Sequence, residues 1–126
     1  MARGLETLLA VLACGTCLTT PAAADSLLRE FAVCAGRLSA VMEDQWMFDG
    51  PGSERTQAEL SALVALVEAS MPEGAGRQVL GWRIDGKVAQ RGLLHQARFG
   101  TDAGLSKSSA ARAEALAAGC RALLLG

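Results

Sequence analysis

Leu27-Leu28-Arg29-Glu30-Phe31-Ala32-Val33-Cys34-Ala35-Gly36-Arg37-Leu38-Ser39-Ala40-Val41 sets apolar side chains at Leu27, Phe31, Cys34, Leu38 and Val41. Intervals of 4, 3, 4 and 3 keep those side chains on one face of an α-helix. A stripe of this kind needs other elements to bury it, so the segment predicts a core helix over residues 26–47. Asp25 or Ser26 is the expected cap at its start. Asp49-Gly50-Pro51-Gly52 is the expected stop, because glycine and proline together favour a turn.

The same spacing recurs downstream. Ser53 is placed to cap a second helix whose apolar face is Leu60, Leu63, Val64, Val67 and Met71, and Pro72-Glu73-Gly74 ends it. At the far end Ala113, Leu116, Cys120 and Leu123 form another stripe, with Thr101 or Asp102 in the cap region. If the helices alternate up and down, the last runs antiparallel to the first and brings Cys120 level with Cys34. In an oxidising compartment these two cysteines are expected to form a disulfide. Closing so long a loop contributes about 4.5 kcal/mol in the chain-entropy account. A reactive dithiol is the functional alternative, but it needs an accessible, low-pKa thiolate rather than two positions on apolar stripes. The expected fold is all-α: a single-domain antiparallel helical bundle of about four helices, closed by one disulfide.

Residues 75–99 are open to two readings. Leu80, Trp82 and Ile84 alternate ahead of an Asp85-Gly86 turn signal, which describes a hairpin. The return limb Val88-Ala89-Gln90-Arg91-Gly92 makes a poor strand, and helical spacing fits better. It places Arg83, Lys87, Arg91, His95 and Arg98 on one face and Val79, Trp82, Gly86, Ala89 and Leu93 on the other. The glycines would then allow close helix approach.

Upstream of the first stripe, Met1-Ala2-Arg3, an apolar run from Leu8 to Leu18 and Pro21-Ala22-Ala23-Ala24 before Asp25 have the three parts of an export signal. The run is too short to span a bilayer. Residues 1–24 are therefore expected to be removed between Ala24 and Asp25, which leaves roughly 100 residues, one domain's worth, in the periplasm or secreted. Cys14-Gly15-Thr16-Cys17 would leave with them, so its C-x-x-C spacing is not read as a redox or metal site. Lipidation at Cys14 is the alternative processing route.

The whole chain has a formal net charge of −1, but the charges are divided along it. Residues 25–76 carry nine acids and three bases, a net of −6, while residues 77–126 carry three acids and eight bases, a net of +5. Either the basic stripe is neutralised internally by Glu30, Glu43, Asp44 or Glu68, or it is open to an anionic envelope component. Nucleic acid is not an expected partner.

Met42-Glu43-Asp44-Gln45-Trp46-Met47-Phe48 mixes carboxylates with polarizable and aromatic groups beside a turn. Trp46 and Phe48 can serve as a platform for a partner, or Met42 and Trp46 can complete the core stripe with Glu43 and Asp44 solvated. Glu43 and Asp44 point about 100° apart on a helix and cannot share one proton unaided. His95 is the single histidine; with Met42 and Met47 it is a weak soft-metal candidate, and with Glu43 or Asp44 a candidate for a small metal-binding protein or enzyme. No H-E-x-x-H, C-x-x-C-H, G-x-S-x-G or P-loop pattern is present. No catalytic residue, metal ligand or cofactor is assigned.

Cys34-Ala35-Gly36-Arg37-Leu38-Ser39-Ala40, continued by Glu43 and Trp46 and closed by Cys120-Arg121-Ala122-Leu123-Leu124, resembles small exported alphaproteobacterial proteins without an assigned function. The resemblance implies an envelope setting and a helical fold, and carries no site residue over. The expected role is a binding or accessory module for an envelope partner. Candidate contact residues are Arg83, Lys87, Arg91, His95, Arg98, Glu43, Asp44 and Trp46. A purely structural role, in which the protein self-associates through its alanine-rich faces, is the third alternative.

Overall fold

In the computed structural model, which describes residues 21–126, the first apolar stripe becomes the spine of a four-helix bundle. The helices are α1 (Pro21–Phe48), α2 (Gly50–Ser70), α3 (Gly76–Phe99) and α4 (Ala103–Ala122), with no strand among the described residues. Most of the proposed export signal, including Cys14 and Cys17, lies outside the described residues. No helix among those described is long and apolar enough to cross a membrane.

Helix α1 already includes Pro21, the first described residue, upstream of the expected caps. Ala22, Ala23 and Ala24 are strong helix formers and carry the helix through this stretch. Asp25 and Ser26 are therefore interior to the helix. The stripe also shifts by one residue at this end: Leu28 is buried and Leu27 exposed. From Phe31 on the reading holds, through Cys34 to Leu38.

A single residue, Asp49, separates α1 from α2. Its side chain accepts a hydrogen bond from the Gly52 N–H at 3.2 Å, so Asp49 rather than Ser53 is the cap. Ser53 lies inside the first turn, its hydroxyl donating to the Gly50 carbonyl at 2.5 Å. Gly74, at φ +80°, turns the chain between α2 and α3. Asp102 caps α4, accepting from the Leu105 N–H at 2.7 Å.

The hairpin alternative for residues 75–99 does not occur, because α3 is continuous across them. Its buried line is Val79, Gly86 and Gln90, with Trp82 and Leu93 half-buried; Ala89 is exposed. Consecutive helices run antiparallel, so α1 and α3 are parallel, and theirs is the most extensive contact in the bundle. Two glycines make it possible. A Cβ at Gly36 would lie 2.8 Å from Lys87 N, closer than real Cβ atoms approach, and one at Gly86 would press on the Val33 backbone, 3.1 Å from its Cα and closer still to its carbonyl oxygen. Backbone rests on backbone at this crossing.

Around it lies the core, built from Leu28, Phe31, Ala32, Ala35 and Leu38 of α1, Leu63 and Val67 of α2, Val79 of α3 and Ala117 of α4. Cys34 and Cys120 are bonded within that core, 86 residues apart in sequence and 5.3 Å apart at Cα. The up-down topology and the bridge thus agree, as the stripes require. Helix α4 is also tied to α2: Arg121 donates to Glu59 at 2.7 Å and to Thr56 Oγ1 at 3.3 Å.

Candidate functional site

Beyond the glycine crossing, the parallel helices α1 and α3 end side by side. Because α2 turns back at Asp49, the last turn of α1 is left largely exposed among the described residues. Trp46, Met47 and Phe48 are 61, 71 and 49% exposed, and Phe99 at the end of α3 is 61% exposed. Trp46 therefore does not finish the core stripe. Met47, Phe48 and Phe99, with Ala40 and Leu94 beneath them, line a cleft of about 180 Å³. Glu43, Asp44, Arg91 and His95 form its polar edge.

The charges on that edge neutralise one another. Lys87 donates to Glu43, and Arg91 approaches the same carboxylate at 3.6 Å. Arg98 grips Asp44 through two N–H groups, each at 2.6 Å, and lies 3.8 Å over the Phe48 ring. This hydrogen bond to Asp44 raises the Arg98 guanidinium above its usual pKa. The acidic and basic halves of the sequence thus meet across the α1–α3 seam, with Glu43 and Asp44 as the partners; Glu30 and Glu68 make no ion pair among the described residues. Arg83 stands apart in a shallow groove beside Gly36, Ser39 and Leu80, without a carboxylate in ion-pair reach among the described residues.

His95 shares the cleft edge with Glu43 and Asp44, so the fold gathers all three. Its ring rests against Phe99 at a centroid distance of 5.1 Å. Both carboxylates hold cations, which leaves neither as a free base beside the imidazole. Met47 lies in the same cleft and Met42 does not. No group of three His, Cys, Asp or Glu side chains among the described residues converges as a metal site.

No family model, curated protein or solved structure matches this chain.

A second cleft, of about 560 Å³, opens between α1, α3 and α4. The apolar residues that helix α4 presents to it are Ala110, Ala113 and Ala117, and these short side chains leave the space unfilled, with Glu114 and Arg121 of the same helix beside them. Sequence periodicity did not single out Gln45 and Gln90, which both line this cleft. Gln90 occupies a buried helical position between Gly86 and Leu93, and a polar residue on such a line was the signal available.

Proposed function

We propose that the chain acts outside the cytoplasm as a small helical binding or accessory module, and that it meets an envelope protein through the end formed by Trp46, Met47, Phe48 and Phe99. The observation that carries this reading is the gathering of four large apolar side chains at one end, each about half exposed or more. Burying such side chains is favourable by about 25 cal/mol per Å² of apolar surface, and aromatic anchors often dominate protein interfaces. An apolar centre with a charged edge is also the usual anatomy of such interfaces. Arg91 and Arg98 serve here as edge groups, already paired in the free protein.

That pairing argues against the basic stripe as a site for an anionic envelope component, since binding would have to break contacts to Glu43 and Asp44. The same contacts argue against His95 acting with either carboxylate in a metal-binding or enzymatic role. Export is supported by the small-residue cleavage pattern ahead of Asp25 and by the disulfide, a bond that persists in oxidising compartments.

The test is site-specific photocrosslinking in the cell that makes the protein. A photoreactive residue at Met47 is expected to give one dominant adduct. The same probe at Ala111, exposed on α4, is expected to give none. The adduct should disappear in a Trp46→Ser, Phe48→Ser background. Equal labelling from both positions would refute the assignment of this end.

A further inference from the structure

We propose that the outer face of α3 is a docking surface for an anionic phospholipid bilayer. The inference is independent of the partner surface at Trp46–Phe48 and uses other residues.

Helix α3 packs on α1 and α4 through the side that carries Val79, Gly86 and Gln90. On the opposite side Leu80, Ile84 and Val88 are 54, 51 and 62% exposed. Their spacing of four residues sets them in one row within an arc of about 80°. Arg77 and Arg91, both exposed, fall inside the same arc, and Arg83 borders the row in the groove beside Gly36 and Ser39. Helix α3 carries five bases, Arg77, Arg83, Lys87, Arg91 and Arg98, against a single acid, Asp85. Arg77 and Arg83 make no ion pair among the described residues. Contact with an anionic group through these two therefore breaks no bond to Glu43 or Asp44.

An apolar row set among unneutralised arginines narrows the choice of occupant. A second copy would bring two basic faces together, with only one Asp85 from each to offset Arg77 and Arg83. A soluble polyanion makes no use of Leu80, Ile84 and Val88. A folded protein would have to bury Arg77 and Arg91 within the apolar contact, and each would need a carboxylate fixed opposite it. A bilayer surface meets both requirements at once. The apolar row enters the boundary between headgroups and acyl chains, while the long arginine side chains extend back to headgroup phosphates, which accept paired N–H donors. Anionic headgroups add attraction for each base held near the surface. The bundle then lies on the bilayer with α3 along the membrane plane.

Vesicle flotation tests this with the oxidised protein recovered from the cell that makes it. One set of vesicles is equimolar phosphatidylglycerol and phosphatidylcholine, the other phosphatidylcholine alone. Binding should be about tenfold tighter or more to the first set, and should weaken without vanishing as salt is raised. Ile84→Ser should weaken it by about tenfold through lost apolar contact. Arg77→Ser and Arg83→Ser should each weaken it by about fivefold, the loss expected for one charge at an anionic surface. Ile84 and Arg77 are exposed, so their variants keep the test decisive if Arg83→Ser disturbs the groove. In bicelles, broadening of amide signals by a spin-labelled lipid should centre on residues 77–91. Absence of flotation with the phosphatidylglycerol vesicles, unchanged flotation of Ile84→Ser, or broadening centred on Trp46–Phe48 would each overturn the proposal. So would equally tight binding to soluble dextran sulfate, or a dimer that Ile84→Ser dissociates and that does not float.

Discussion

The two halves of the α1–α3 seam are built on opposite rules. Around Gly36 and Gly86 the backbones touch, Leu28, Phe31 and Leu38 are buried, and Cys34 is bonded to α4. From Glu43 onward the same two helices are held by ion pairs, and their aromatic residues face outward. One end holds the fold by packing that admits no extra atoms. The other leaves apolar surface unspent and clefts open on two sides. Close packing and open surface are therefore separated along a single pair of helices.

The largest expected effect comes from opening the closed half. Replacing both Cys34 and Cys120 with alanine should cost about 2–5 kcal/mol, because the bridge closes most of the chain. Chemical denaturation of the oxidised protein and the double variant measures this; a loss below about 1 kcal/mol would mean that the helices hold together without the bridge.

A finer comparison uses one substitution at two glycines of α3. Gly86→Ala should destabilise by about 1–3 kcal/mol, since the new methyl group meets the Val33 backbone. Gly92 has open space around its Cβ position, and Gly92→Ala should stabilise by about 0.5–1 kcal/mol through helix propensity. Opposite signs in thermal unfolding mark the close crossing; matching signs would dissolve it.

The smallest effect belongs to the open half. Arg98 is partly solvent-exposed, so Asp44→Asn should cost under about 1 kcal/mol, and the cost should shrink as salt is raised. Double-mutant denaturation with Arg98→Gln reads the coupling directly. A loss comparable to that of the disulfide would make the ion pairs part of the stability core.

Helical periodicity carried most of the architecture. The stripes through Phe31, Cys34 and Leu38, through Leu63 and Val67, and through Ala113 and Cys120 all face the core, and the meeting of the two cysteines follows from an up-down order. Periodicity failed where its premise of one buried face fails. Helix α1 is covered by three helices along part of its length, so Leu28 is drawn inward in place of Leu27; at its end the cover is thinner, so Trp46 stays outside. At the start of α2 the cap moved from Ser53 to Asp49 because proline and glycine fit a first turn as well as a loop. The neutral pairing of the basic stripe was foreseeable from the divided charge, and the structure supplies Glu43 and Asp44 as its partners. The cleft at Gln45 and Gln90 was not legible, because hydrophobic patterning assigns no place to a buried amide and cannot show that alanines on α4 leave a gap.

The division of the bundle into a closed and an open half is tested most directly by amide hydrogen exchange of the oxidised protein at single-residue resolution. The slowest exchange should fall at residues 31–38, 79–86 and 117–120. Residues 44–48 and 96–99 should exchange well before global unfolding, through local opening. Uniform protection along α1 and α3, or slower exchange at the aromatic end than at the glycine crossing, would contradict the account.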